Sequence, residues 1–126
     1  MIVRFERASG LVVVRARVAG PEGERSVRLA VDTGASFTLL SPAVLSSVGA
    51  HPLAGRGLRI ATVSGLVAAS ISELSWLGCL GHRRDDFPVL IHAPPPGARI
   101  DGLLGLDFLR GRRLTIDFGA GTIELV

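Results

Sequence analysis

The run Leu29-Ala30-Val31-Asp32-Thr33-Gly34-Ala35-Ser36 decides how the rest of the chain is read. An apolar stretch leads straight into a carboxylate, and a glycine follows two places later. Such a stretch reads as a strand entering the interior, and the Asp-x-Gly that ends it reads as a turn. Taken alone, Asp32-Thr33-Gly34 also fits an ordinary strand-end turn with Asp and Gly in their usual roles. The flanking sequence has to separate the two readings.

Upstream, Leu11 to Val18 alternates, with Val12, Val14, Ala16 and Val18 on one parity and Arg15 and Arg17 on the other. That is the pattern of a half-buried strand. Gly20-Pro21-Glu22-Gly23 is a turn signal, and Ser26 to Val31 resumes as a strand, so a β-hairpin delivers the chain to Asp32. Downstream, Phe37 to Leu40 reads as another short strand. Ser41-Pro42 supplies an N-cap and a proline at the first helical position, and Gly49 supplies a stop, which predicts a helix over Pro42–Val48.

Further along, two extended runs between Leu58 and Trp76 flank Thr62-Val63-Ser64-Gly65, the pattern of a hairpin. Phe87 to Ile91 reads as a strand. Pro94-Pro95-Pro96-Gly97 is a stiff loop unable to join a ladder. Ile100 to Leu109 reads as an apolar strand running into a short helix. Arg113–Phe118 and Thr122–Val126 form a last hairpin around Gly119-Ala120-Gly121. Many short strands, regular turns and one or two short helices give an all-β, closed and barrel-like fold, with one domain over residues 1–126.

Composition removes several classes of function. All 14 cationic residues are arginine and the net charge is only +3. The basic residues are dispersed, Arg83-Arg84 is followed by Asp85-Asp86, and there is no Tyr and a single Trp. A nucleic-acid face with a basic, aromatic-laced stripe is therefore not expected. His51, His82 and His92 are scattered and lack metal-ligand spacing, so no metal site is expected. Cys79 is alone, cannot form an intrachain disulfide, and reads as a small buried hydrophobe. No apolar run approaches the ~18 residues of a membrane span, and the N-terminus lacks the apolar core of a signal peptide. The expectation is a cytoplasmic protein, although a chain trimmed of a leader would look the same.

Two motifs in this order, Val31-Asp32-Thr33-Gly34-Ala35-Ser36 and Asp101-Gly102-Leu103-Leu104-Gly105-Leu106-Asp107-Phe108-Leu109, resemble the retropepsin-like aspartic peptidases. The resemblance extends from about Val27 to Val126. It implies the acid-protease fold in a single lobe and hydrolysis of peptide bonds in a peptide or protein substrate. Aspartic catalysis uses two carboxyl groups sharing one proton around a water and needs no metal or organic cofactor. This chain holds one Asp-Thr-Gly and no second Asp-Thr/Ser-Gly. The chemistry therefore needs Asp32 from each of two subunits of a homodimer.

The same resemblance gives the neighbours their roles. Thr33 would hydrogen-bond across the dimer axis, and Gly34 would turn its N–H toward the carboxylate. Ala35 stands where pepsins usually have a Ser or Thr hydroxyl bonding the outer carboxylate oxygen. Its absence implies a pH optimum less acidic than a pepsin's. Val63, Ser64 and Gly65 would be the flap tip over the substrate. Leu103, Leu104 and Gly105 would wall the cleft beside Asp32. Thr122–Val126, with Ile123, Leu125 and Val126, would serve with the N-terminal strand as an edge for a viral-type dimer sheet.

Other candidates were weighed against these. Asp101, Asp107 and Asp117 read as cap or turn residues, Asp101 having the best claim to lie near the cleft. Ser36 has no nearby His and no G-x-S-x-G setting. Two rival functions stay open at this point. One is a non-catalytic dimerisation or peptide-binding module on the same fold, and the other is a monomeric barrel holding a small apolar ligand.

Overall fold

The structure, a computed structural model, describes residues 1–8, 10–62 and 65–126. The chain runs through β1 (Ile2–Arg4), β2 (Glu6–Ala8), β3 (Leu11–Gly20), β4 (Gly23–Val31), β5 (Leu39–Leu40), α1 (Pro42–Ser47), β6 (Gly57–Thr62) and β7 (Gly65–Cys79). It continues through β8 (His82–Ile91), β9 (Gly102–Leu104), α2 (Leu106–Leu109), β10 (Leu114–Asp117) and β11 (Thr122–Leu125).

Eight strands form one sheet in the order β2-β3-β4-β9-β5-β8-β7-β6. β7 also pairs back onto β3, from Ala16 opposite Cys79 to Ala19 opposite Trp76. That second pairing closes a barrel-like ring of β3, β4, β9, β5, β8 and β7. Closure removes most of the free edges that would otherwise invite association. The interior is filled by alternate residues of the ring strands, among them Val14, Val18, Leu29, Leu40, Leu74, Leu77 and Leu104, with Phe108 from α2. Burying each of these side chains contributes roughly 1.5–3 kcal/mol.

The helix expected after Ser41 forms as the capping chemistry dictates. Ser41 Oγ accepts the Val44 N–H at 3.3 Å, Pro42 opens the helix, and the chain leaves it through Gly49 at φ +75°. Its buried residues, Val44 and Leu45, pack into the core.

Three sequence expectations change. The strand expected over Phe37–Leu40 shrinks to Leu39–Leu40, because Phe37 faces solvent and the Thr38 N–H is held by the Asp107 side chain, leaving only the Thr38 carbonyl to bond a neighbouring strand, at Leu90. The second strand of the hairpin runs past Trp76 to Cys79 and turns at once into β8, which starts at His82 and not at Phe87, so Arg83-Arg84-Asp85-Asp86 is strand. The two-residue turn is Leu80-Gly81, both at positive φ (54° and 82°), as a tight hairpin of twisted strands requires.

The third change concerns the C-terminal strand. β11 lies in the middle of a separate three-stranded sheet, β1-β11-β10, with ladders on both sides. Ile123 and Leu125 are each 1% exposed and belong to the protomer's own core. β11 is therefore not an edge open to a second subunit. Ile123 and Leu125, expected at an interface, instead pack inward on the main core, with β1 and β10 paired beside β11 in the same chain; Val126 stays exposed.

Candidate active site

β4 and β9 run parallel, Leu29 beside Gly102 and Val31 beside Leu104. The Asp32 N–H extends this ladder by one bond, to Leu104 O at 3.0 Å. Asp32 is thus fixed where a buried strand ends. The chain then reverses, with the Ala35 N–H donating to Asp32 O at 3.2 Å. Inside that turn the Gly34 N–H donates to Asp32 Oδ1 at 2.9 Å. Oδ2 has no hydrogen-bond partner among the described residues. Asp32 and Ala35 are half-buried, while Thr33, Gly34, Ser36 and Phe37 face solvent.

The segment around Gly105 crosses directly under this turn. The Leu106 N–H donates to Ala35 O at 2.8 Å. A methyl group on Gly105 would stand 2.6 Å from the Phe37 carbonyl carbon and 2.9 Å from Ala35 O, so only glycine fits there. Gly102 is as tightly placed, since a methyl there would lie 1.9 Å from Leu39 O.

Leu103, Leu104 and Gly105 therefore divide their labour. Leu104 is fully buried in the core, and Gly105 makes the crossing. Leu103 lines an apolar cavity of about 200 Å³ together with Leu39, His92, Pro94, Pro95 and Ile100. The hairpin expected to serve as a flap forms from β6 and β7, paired from Gly57 opposite Ser70 to Thr62 opposite Gly65. Two of its three expected tip residues, Val63 and Ser64, lie outside the described residues; Gly65, at φ +123°, opens β7.

The remaining aspartates are occupied structurally. Asp101 Oδ2 accepts the Arg28 N–H at 2.8 Å, at the far end of the β4–β9 ladder from Asp32. Asp117 Oδ1 accepts the Ala120 N–H at 2.9 Å in the last hairpin turn. Asp107 accepts from Thr38 and from the Phe108 N–H. Sequence reasoning missed Thr38. The available signal was a lone hydroxyl inside an apolar run, which must find a partner once buried.

One further sequence reading, the burial of Cys79, can be placed. Cys79 is buried, and loss of hydration pushes its thiol up to about 12, only partly offset by a backbone hydrogen bond from Leu80. No cluster of three or more His, Cys, Asp or Glu side chains that could hold a metal ion occurs among the described residues. No helix among them is long and apolar enough to cross a membrane.

A carboxylate at the end of a buried strand, with the glycine two residues on donating to it and a second apolar-Gly segment crossing beneath, is the arrangement expected from the retropepsin-like resemblance. Residues 14–108 match the family model described as "Aspartyl protease", and the chain belongs to that family. Its fold is similar to that in the crystal structure of a retropepsin-like aspartic protease from Rickettsia conorii. That superposition has a TM-score of 0.63 at 21% sequence identity, covering 99% of this chain and 87% of the other. No curated protein sequence matches the chain.

Proposed function

We propose that this protein is an aspartic endopeptidase whose active site is completed by a second copy of the chain. The observation that carries the reading is the state of Asp32. One carboxylate oxygen is held by the Gly34 N–H at 2.9 Å, and the other has no partner among the described residues. Each protomer thus offers half of a dyad.

In the completed site, one Asp32 carboxylate takes a proton from water as the water oxygen bonds to the scissile carbonyl carbon. The protonated Asp32 of the second copy polarises the carbonyl. On collapse of the tetrahedral intermediate the C–N bond breaks, and the nitrogen leaves with a proton from the dyad. The substrate is an extended peptide held by main-chain hydrogen bonds along strand edges. The cavity beside Leu39 and Leu103 suits an apolar side chain of that peptide, because its lining is almost wholly hydrocarbon and proline. Thr33, exposed at the turn, would meet its counterpart at the two-fold axis, and Val63, Ser64 and Gly65 would close over the peptide.

The test pairs catalysis with assembly. Asp32→Asn should abolish cleavage of a peptide library, including self-cleavage, while sedimentation still shows the wild-type dimer. A strict monomer at high micromolar concentration would overturn the dyad. A dimer that binds peptides but never cleaves them would assign the fold a purely binding role.

A further inference from the structure

We propose that Thr38 and Asp107 are positioning residues that fix the geometry of the Asp32 turn; the inference rests on the peptidase reading above. Thr38 is fully buried and lies outside the Asp32-Thr33-Gly34 tripeptide; its carbonyl accepts the Leu90 N–H at 3.0 Å, while its N–H and hydroxyl turn away from that strand. Its hydroxyl is used twice. It accepts the buried Gly105 N–H at 3.1 Å and donates to Asp107 Oδ1 at 2.7 Å. The direction is fixed, because the amide of Gly105 can only donate and a carboxylate can only accept. The Thr38 N–H also points at the Asp107 carboxylate, 3.0 Å from each oxygen.

These bonds close a loop around the turn. Its entry is tied to the crossing segment by Asp32 N–H to Leu104 O, and its middle by Leu106 N–H to Ala35 O. Thr38 and Asp107 tie its exit. Without the third tie, Ser36 to Thr38 have no hydrogen bond to the crossing segment among the described residues, and the next anchors are the Thr38 carbonyl, which accepts the Leu90 N–H at 3.0 Å, and β5. The carboxylate makes this tie stronger than a neutral acceptor would, since a hydrogen bond to an ionised group is roughly twice as strong. Gly105 cannot carry a side chain of its own to do the job, so the bracing has to come from Thr38 and Asp107.

The geometry also specifies a conservative replacement. Asp107 Oδ1 alone receives three donors, the Thr38 N–H at 3.0 Å, the Thr38 hydroxyl at 2.7 Å and the Phe108 N–H at 2.9 Å. An asparagine carbonyl oxygen in that place still faces the three donors, but its NH2 would stand 3.0 Å from the Thr38 N–H and the charge is gone, so it restores the tie in part, whereas alanine loses all three. Likewise serine at 38 keeps the hydroxyl relay, and valine leaves the Gly105 N–H buried without a partner.

The experiment compares Asp107→Ala with Asp107→Asn and Thr38→Val with Thr38→Ser, in wild-type and Asp32→Asn backgrounds. Where the wild type cleaves and Asp32→Asn does not, Asp107→Ala and Thr38→Val should lower kcat about ten- to a hundredfold, as expected for a displacement of an ångström or less. KM should stay within about twofold and the dimer should persist, with kcat recovering to within about threefold of wild type in Thr38→Ser and part of the way in Asp107→Asn. Unchanged kcat in the disruptive variants, or no recovery in the conservative ones, would overturn the inference.

If the wild type does not cleave, the peptidase reading fails by itself, and amide exchange judges the positioning. The Asp32 and Leu106 amides, which do not touch Asp107, should exchange at least tenfold faster in Asp107→Ala, while those of Leu74 and Leu77 keep their rates. Equal exchange at Asp32 and Leu106 in both proteins would overturn the proposal.

Discussion

Gly105 and Phe37 are packed backbone to backbone, with room for no more than a hydrogen on the glycine. An added methyl would stand 2.6 Å from the Phe37 carbonyl carbon and 2.7 Å from its oxygen. Both neighbours are main-chain atoms, so relief requires the Asp32 turn and the crossing segment to separate. Gly105→Ala should therefore lose about 2–3 kcal/mol of unfolding free energy. Gly102→Ala, facing Leu39 O at 1.9 Å, should lose at least as much. Gly34→Ala, whose methyl would sit 3.2 Å from Asp32 Oδ1, should cost under about 1 kcal/mol. Urea unfolding of the three variants checks the order.

The central place of β11 makes the C-terminal strand a structural requirement of each protomer. Removing Thr122–Val126 exposes the core beneath Ile123 and Leu125 and strips two ladders at once. The shortened chain should be unfolded by circular dichroism at 25 °C. A folded, monomeric product would show that this strand belongs to an interface after all.

The pH dependence of stability should carry a signature of Cys79. Burial raises its thiol from an ordinary value near 9.0 to about 12. Between those values the unfolded chain loses the proton while the folded chain keeps it, so stability falls as pH rises through this window. At pH 10.5 the loss relative to pH 8 should be about 1–2 kcal/mol, and Cys79→Ala should remove that slope. Native protein at pH 8 should also resist thiol alkylation until it is unfolded.

Arg83 and Arg84 are neighbours with different duties. Arg84 donates from Nε to Phe108 O at 3.0 Å and from Nη2 to Arg110 O at 2.8 Å, closing the exposed carbonyl end of α2. Arg83 pairs with Asp85 at 2.8 Å on an open surface and lies over the Trp76 ring. Arg84→Ala should cost about 1–2 kcal/mol, whereas Arg83→Ala should cost no more than about 1 kcal/mol. Thermal unfolding separates them.

Position 35 bears on working pH. With alanine there, cleavage should persist at pH 5 and above. A rate–pH profile that peaks near pH 2 and vanishes by pH 5 would contradict the reading of Ala35.

Much of this was legible in the chain itself, where local chemistry and tertiary structure agree. The Ser41-Pro42 start and Gly49 stop gave α1 because capping is decided within a few residues. The approach of an apolar strand to Asp32 followed from its run of apolar residues, and the Gly34 N–H from the resemblance. Elsewhere distant partners decided. Nothing local to Thr38 announces Asp107, 69 positions away. Leu80-Gly81 lacks the Asn or Asp that normally advertises a tight hairpin, so β7 and β8 looked shorter than they are. Ile123 and Leu125 were visibly destined for burial, but a pattern of apolar residues does not say whether the cover is β1 of the same chain or a second subunit.

β7 has one further consequence. Its first residues pair with β6 in the hairpin, and its last four pair on both edges, with β8 and β3, where the ring closes. Between them, Ile71 to Leu74 has a strand on one side only, the other being met at Ile71 O by the Leu53 N–H and at Ser72 by its hydroxyl bond to His51 O. Bending is cheapest in that interval. A hairpin that swings will pivot there, its motion arrested before it can pry open the seam at Trp76–Cys79, so opening and closing need not loosen the barrel.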